Sequence, residues 1–100
     1  MKIQKIKDNG ATLEEVPGDR NKAEIYARKV ATDNDMTYVS PYNDPVVVAG
    51  QGTVAKEIDE QVEGVEVIYC SIGGGGLIGG MGAYFKATRP GVEIIGVLPV

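Results

Sequence analysis

Apolar positions along the chain switch between a helical and an extended period several times. Ile3 and Ile6 stand three apart with Gly10 behind them, so Met1 to Asn9 reads as the last turns of a helix closed by a C′ glycine. Ala11 to Val16 alternates and stops at Pro17-Gly18, the pattern of a short strand and a turn. From Asp19 onward, Ala23, Tyr26, Ala27, Val30 and Ala31 follow the i, i+3, i+4, i+7, i+8 spacing of one apolar helix face. Asp19 or Asn21 can cap that helix, Asp33-Asn34-Asp35 ends it, and Arg20, Lys22, Glu24 and Lys29 then face solvent. Met36 to Val39 predicts a short strand. The prolines of Ser40-Pro41-Tyr42-Asn43-Asp44-Pro45 make the next stretch an irregular linker.

Val46 to Ala49 is apolar, but Gly50-Gln51-Gly52-Thr53 follows at once, so the third helix is expected to open at a cap on Gly52 or Thr53. Val54, Ala55, Ile58 and Val62 would form its buried face, with Lys56, Glu57, Asp59 and Glu60 off it and Gly64 closing it. Glu66 to Cys70 predicts a strand, Gly73 to Gly76 a tight loop, and Leu77 to about Thr88 a fourth helix that Arg89-Pro90-Gly91 stop. Val92 to Val97 predicts a last buried strand. Strands alternating with helices in this way call for right-handed crossovers and a mainly parallel sheet, an α/β architecture. Both ends read as cut: the first helix lacks a start, and the chain halts at Leu98-Pro99-Val100, where an α/β fold would continue into a loop and helix.

Composition narrows the field. With 100 residues, 43% of them apolar, the chain is one domain or a piece of one and can bury a core without disulfides. The lone cysteine, Cys70, lies in a predicted strand as a small buried hydrophobe and fits a reduced, cytoplasmic setting. There is no histidine, so no imidazole acid, base or metal ligand is available. A net charge of −4, with ten Lys and Arg residues that form no run or stripe, argues against nucleic-acid binding. The uncharged run Val67 to Phe85 is 19 residues long, enough to raise the question of a membrane span. Its glycines and Ser71 argue against a lipid-embedded helix, and Met1 carries no signal-peptide charge pattern.

The candidate chemistry sits in Gly73, Gly74, Gly75 and Gly76. Without a Cβ, such a run brings main-chain N–H groups close to a ligand, and the first turn of the following helix adds donors without intrahelical partners and a partial positive charge. A phosphate suits both. A plainer reading is a glycine-rich turn beside close helix–strand packing, with Gly79, Gly80 and Gly82 as the small residues. The spacing is not the dinucleotide G-x-G-x-x-G, although Glu93 lies near the distance expected of a ribose-binding acid. No Gly-Lys-Ser/Thr follows, so the Walker pattern fails.

Pro41-Tyr42-Asn43-Asp44-Pro45, then Ala49-Gly50-Gln51-Gly52-Thr53, then Gly73-Gly74-Gly75-Gly76-Leu77 resemble the threonine dehydratase and serine racemase group of pyridoxal-phosphate enzymes of fold type II. Ala87 to Pro90, Gly96-Val97 and the segment from Lys2-Ile3 to Gly10-Ala11 extend the similarity over essentially the whole chain. The resemblance implies a Rossmann-like piece of such an enzyme. Residues 1–39 would belong to a small α/β subdomain, and 40–100 to the large cofactor-binding domain. It also implies that the amides of Gly73, Gly74, Gly75, Gly76 and Leu77 hold the phosphate group of pyridoxal 5′-phosphate. The Gly50 to Thr53 segment resembles the stretch that joins the two domains and starts a helix, a structural role.

The departures matter as much. The family forms its Schiff base on a lysine in a Ser-Phe-Lys-like motif that is absent here, so Lys2, Lys5, Lys7, Lys22, Lys29, Lys56 and Lys86 are expected to be solvated surface amines. With that motif absent no catalytic residue is carried over; Ser40, which stands where relatives often carry histidine, is read as structural, and Leu98 stands where some carry a glutamate that helps bind a divalent cation, so no metal site is carried over. The expected function is therefore an internal segment of a lyase that removes ammonia from serine or threonine, inert alone. Its partners would be the remainder of the enzyme or a second copy meeting an exposed sheet edge, and a small amino acid in the intact enzyme. The rivals are a non-catalytic oligomerising or regulatory chain, and a nucleotide-binding domain that uses Glu93.

Overall fold

The computed structural model describes residues 2–99. The chain divides into two compact units, Met1–Tyr38 and Val39–Val100. In the first, α1 (Lys2–Asp8) ends in a Schellman turn: the Gly10 amide donates to the Lys7 carbonyl (2.9 Å), the Ala11 amide to that of Ile6 (3.3 Å), and Gly10 takes φ +81°. The Asp19 carboxylate caps α2 (Arg20–Asp33) by accepting from the Lys22 amide at 2.9 Å, and Asn34 closes it. Along α2, Arg28 pairs with Glu24 at 2.9 Å and lies over the Tyr38 ring, 4.3 Å from its centroid. Of the expected apolar face, Ala31 is buried and Ala23 and Val30 half-buried, whereas Tyr26 and Ala27 are exposed.

Two predicted strands do not form. Ala11 to Val16 and Met36 to Val39 run without ladder bonds among the described residues, so three helices follow one another before the first strand, and a strand, a helix and a second strand complete the order. Alternation makes a segment eligible for a sheet, but a strand exists only beside another one, and neither segment has one.

The second unit holds α3 (Pro45–Gln61), β1 (Val67–Ser71), α4 (Gly76–Thr88) and β2 (Glu93–Val97). The third helix begins at Pro45, ahead of the Gly52 or Thr53 start read from the sequence. The Asp44 carboxylate accepts from the amides of Val46 (2.8 Å) and Val47 (3.2 Å), and Pro45 fills a first-turn position where its missing N–H costs nothing. Gly50 and Gly52 therefore lie inside the helix. Its buried side runs through Ala55 and Ile58, while Val54 is exposed and Val62, 50% exposed, serves as the C-cap.

β1 and β2 pair in parallel, with Val67 beside Glu93 and Ser71 beside Val97, and α4 makes the crossover between them. The core lies where α3, α4 and one face of the strands meet: Ala55, Cys70, Met81 and Phe85, ringed by Ile58, Ile68, Leu77, Ile78, Val92 and Ile94. Tyr84 and Phe85 meet edge to face at 5.4 Å. Among the described residues no helix is long and apolar enough to cross a membrane.

The most extensive packing is between α3 and α4, and glycine sets its closeness. A Cβ on Gly80 would stand 2.3 Å from the Val48 carbonyl oxygen and 2.6 Å from the Gly52 nitrogen, and one on Gly52 would stand 3.1 Å from the Gly80 oxygen. The small residues thus serve a helix–helix crossing, not the helix–strand contact expected for them. Gly79 meets only Val48 Cγ1 at an ordinary 3.6 Å, and Gly82 meets nothing. At the other end of the pair, Arg89 binds Asp59 at 2.6 Å and donates to the Val65 carbonyl at 3.2 Å, while the Tyr84 hydroxyl donates to Asp59 at 3.2 Å.

Gly80→Ala is expected to lower stability by about 1–3 kcal/mol, because backbone must move to admit the methyl group, whereas Gly82→Ala should raise it by about 0.5–1 kcal/mol. Urea unfolding measures both. Burial first, then the bond to Asp59, raises the Tyr84 phenol above its ordinary value. A raised folded pKa gives stability that is complete below the unfolded tyrosine value and lost as pH climbs through the folded one. The urea midpoint of the native chain should therefore fall towards that of Tyr84→Phe above about pH 10.

Candidate functional site

The glycine loop leaves the carboxyl end of β1 and enters α4 directly. Ile72 still belongs to the sheet, its amide donating to the Val97 carbonyl at 2.9 Å, and Gly73 and Gly74 make the bend. Gly75 is the N-cap of α4, at φ +90° and ψ −6°, a left-handed conformation that a side chain resists. Gly76 opens the helix and is buried, and Leu77 follows it half-buried. The five residues singled out from the sequence thus form one continuous bend at a strand end and a helix start.

The donors of this bend are uncommitted. Gly75 has no side chain with which to cap the helix, and the amides of Gly76, Leu77 and Ile78 precede the first intrahelical acceptor. Among the described residues no protein group accepts from the amides of Gly73 to Ile78, and the first bond of the helix is Gly79 N–H to the Gly75 carbonyl at 2.9 Å. Side chains at Gly73 and Gly75 would meet nothing within 4 Å, so that side of the bend is open. Unpaired amides, the positive end of a 13-residue helix and open space fit an oxyanion such as a phosphate.

The other two glycines face protein. A Cβ on Gly74 would fall 2.3 Å from Tyr42 Cγ, and one on Gly76 would fall 3.0 Å from Tyr42 Cα and 3.1 Å from its carbonyl oxygen. Sequence reasoning quoted Tyr42 only as part of a motif and gave it no role. Its place against a loop some thirty positions away is a tertiary fact that no local spacing encodes.

Several other candidates are not brought to the loop. Glu93 begins β2, opposite Val67, whereas the loop lies beyond Ser71 and Val97 at the other end of the pair. All seven lysines are exposed, with Lys29 paired to Asp33 and Lys56 to Glu60 along their own helices. Cys70 is buried in the core as a free thiol. Buried Ser40 accepts from the Tyr42 amide at 3.5 Å and from the Asn43 amide at 3.3 Å, a local turn that shapes the linker.

A parallel β–α–β unit with a bare glycine bend at its strand end is an α/β arrangement whose open amides fit an oxyanion. The family model described as pyridoxal-phosphate dependent enzyme matches residues 1–100, and the chain belongs to that family. It is 40% identical over 101 residues to threonine dehydratase 1 biosynthetic, chloroplastic, of Solanum lycopersicum, which aligns with all of this chain and 17% of its own length. The chain therefore spans about a sixth of that relative. In three dimensions it is similar to the processed form of threonine deaminase isoform 2 from Solanum lycopersicum, with a TM-score of 0.88 and 33% identity over 98% of this chain and 27% of that one. Serine racemase from Dictyostelium discoideum gives a TM-score of 0.81 and 28% identity over 99% of this chain and 32% of that one. The α/β fold is that of fold type II, as the sequence motifs implied.

Gly75→Ala is expected to cost about 1–2 kcal/mol, because φ +90° is unfavourable for alanine. Gly73→Ala, with open space and no positive φ, should stay within about 0.5 kcal/mol of the native chain in urea unfolding.

Proposed function

We propose that this chain supplies the cofactor-phosphate loop of a pyridoxal-phosphate-dependent ammonia-lyase acting on serine or threonine. The observation that carries the reading is the set of uncommitted amides from Gly73 to Leu77, open on the side of Gly73 and Gly75. Family membership supplies the anion, and the dehydratase and deaminase relatives supply the substrate class. When bound, pyridoxal phosphate supplies an electron sink that eases loss of the Cα proton and the β-hydroxyl, on the way to a 2-oxo acid and ammonia.

The chain's own part is binding and orientation. Main-chain donors fixed by the bend hold the phosphate without titrating, so the grip is independent of pH wherever the phosphate stays ionised. Anchored at that end, the ring can be presented only within the arc that the bend allows. Residues 1–39 are assigned to a small subdomain and 40–100 to the large cofactor-binding domain, an assignment that the division after Tyr38 supports.

The amine that bonds the cofactor is assigned to another part of the enzyme, since each lysine here is an exposed surface group without the Ser-Phe-Lys setting. The matching partner is the remainder of the enzyme, or a second copy, meeting the strand pair. Tyr69, 71% exposed, and Val97, 51% exposed, stand on strands that lack further neighbours among the described residues. A reducing compartment, the cytoplasm, suits the single free thiol.

Titration with inorganic phosphate should shift the amide resonances of Gly73 to Leu77 together while those of α1 and α2 stay fixed. Shifts elsewhere with the loop silent would refute the cradle. Pyridoxal phosphate with borohydride should leave no specific lysine adduct, and a single modified lysine would overturn the assignment of the reactive amine to another segment.

A further inference from the structure

We propose that Tyr42 is a positioning residue of the glycine loop: it occupies the places that side chains of Gly74 and Gly76 would take, and so sets the bend that leaves Gly73 and Gly75 open. This rests on the phosphate-cradle reading for its consequence and on packing alone for its substance.

The four glycines do two different jobs. The Gly74 Cβ position lies 2.3 Å from Tyr42 Cγ, 2.5 Å from its Cβ and 2.7 Å from its Cδ1. Rotation about χ1 can carry the ring away but leaves Tyr42 Cβ where it is, so a residue larger than glycine at 74 forces main chain to move. At Gly76 the obstacles are already main chain, Tyr42 Cα at 3.0 Å and its carbonyl oxygen at 3.1 Å. Gly73 and Gly75 meet nothing within 4 Å, and only Gly75 has a positive φ. Alternate residues along the bend therefore turn to protein and to open space, and Tyr42 is what the protein side rests on.

Tyr42 is itself held from both directions. Ser40 accepts from its amide and from that of Asn43, and Asp44 caps α3 two residues on. The α3 helix is locked to α4 at Gly52 and Gly80. The loop is thus clamped between its own helix and the residue that leads into the neighbouring helix. A phosphate that meets pre-set amides loses less ordering entropy on binding than one that must organise four glycines itself.

The test is a cycle of Gly74→Ala with Tyr42→Gly in the full chain, read by the amide shifts of Gly73 to Leu77 and by the Kd for inorganic phosphate. Gly74→Ala alone should displace the whole set of loop resonances and weaken phosphate about tenfold, the size of an overpacking defect. In the Tyr42→Gly background the same change should cost less than about threefold, since its obstacle is gone. Tyr42→Ala, which keeps the Cβ, should give intermediate relief and covers the case in which Tyr42→Gly fails to fold. Equal, additive losses in all backgrounds, or loop resonances unmoved by Tyr42→Ala, would overturn the proposal. If the cycle is non-additive in the loop shifts while phosphate moves no resonance, Tyr42 stands as the loop's support and the phosphate reading falls.

Discussion

The site depends first on how closely α4 lies on α3. Gly80 sits with its side-chain position filled by the Val48 carbonyl and the Gly52 amide, so the two helices meet main chain to main chain at that point. Interaxial distance follows the size of the residues at a crossing, and glycine on both sides gives the short limit. Because Gly80 is one turn beyond Gly76, the same contact fixes where the first turn of α4 points. The clamp of Arg89 and Tyr84 on Asp59 holds the far end of the helix pair. Between those two fixings α4 has little freedom to slide, and its amino end arrives beside Tyr42 at a defined height.

The loop follows from that placement. The parallel pairing of β1 and β2 ends at Ser71 and Val97, and Ile72 makes the last bond to the sheet. Two residues must then turn the chain into a helix whose start is already set, and Gly75 does so at a φ that other residues avoid. Gly96 on the neighbouring strand makes the room, since a Cβ there would stand 2.3 Å from Ile72 Cδ1 and 3.1 Å from Ile78 Cδ1. The strand, bend and helix are thus bound by contacts that leave the donors of Gly73 to Leu77 as the unspent capacity of the segment. Main-chain donors of this kind serve an anion held by shape and dipole in place of a cationic side chain, consistent with a chain of net charge −4 and no histidine.

What the sequence made legible were features with local causes. Asp19 and Asn34 bracket α2 as expected, Gly10 closes α1, and the β1–loop–α4–β2 run could be placed to within a residue or two, because caps, glycines and buried apolar runs act over a few positions. The start of α3 was missed although Asp44-Pro45 is a strong opening signal. The glycines at 50 and 52 looked like a boundary, and only the partner helix shows that they are there for close approach. The absent ladders at Ala11 to Val16 and Met36 to Val39 have a non-local cause of the same sort, since pairing needs a neighbour that no alternation supplies. Gly74 and Gly76 could be recognised as part of a loop, but Tyr42, which explains their lack of side chains, could not be found from spacing.

A crystal structure of the chain with pyridoxal 5′-phosphate is the most direct measurement of whether these bare amides form an anion nest. The account predicts phosphate oxygens about 2.7–3.2 Å from amide nitrogens between Gly73 and Leu77, with Tyr42 still seated against Gly74 and Gly76. A bend closed over by neighbouring side chains, with the phosphate bound elsewhere or not at all, would contradict it.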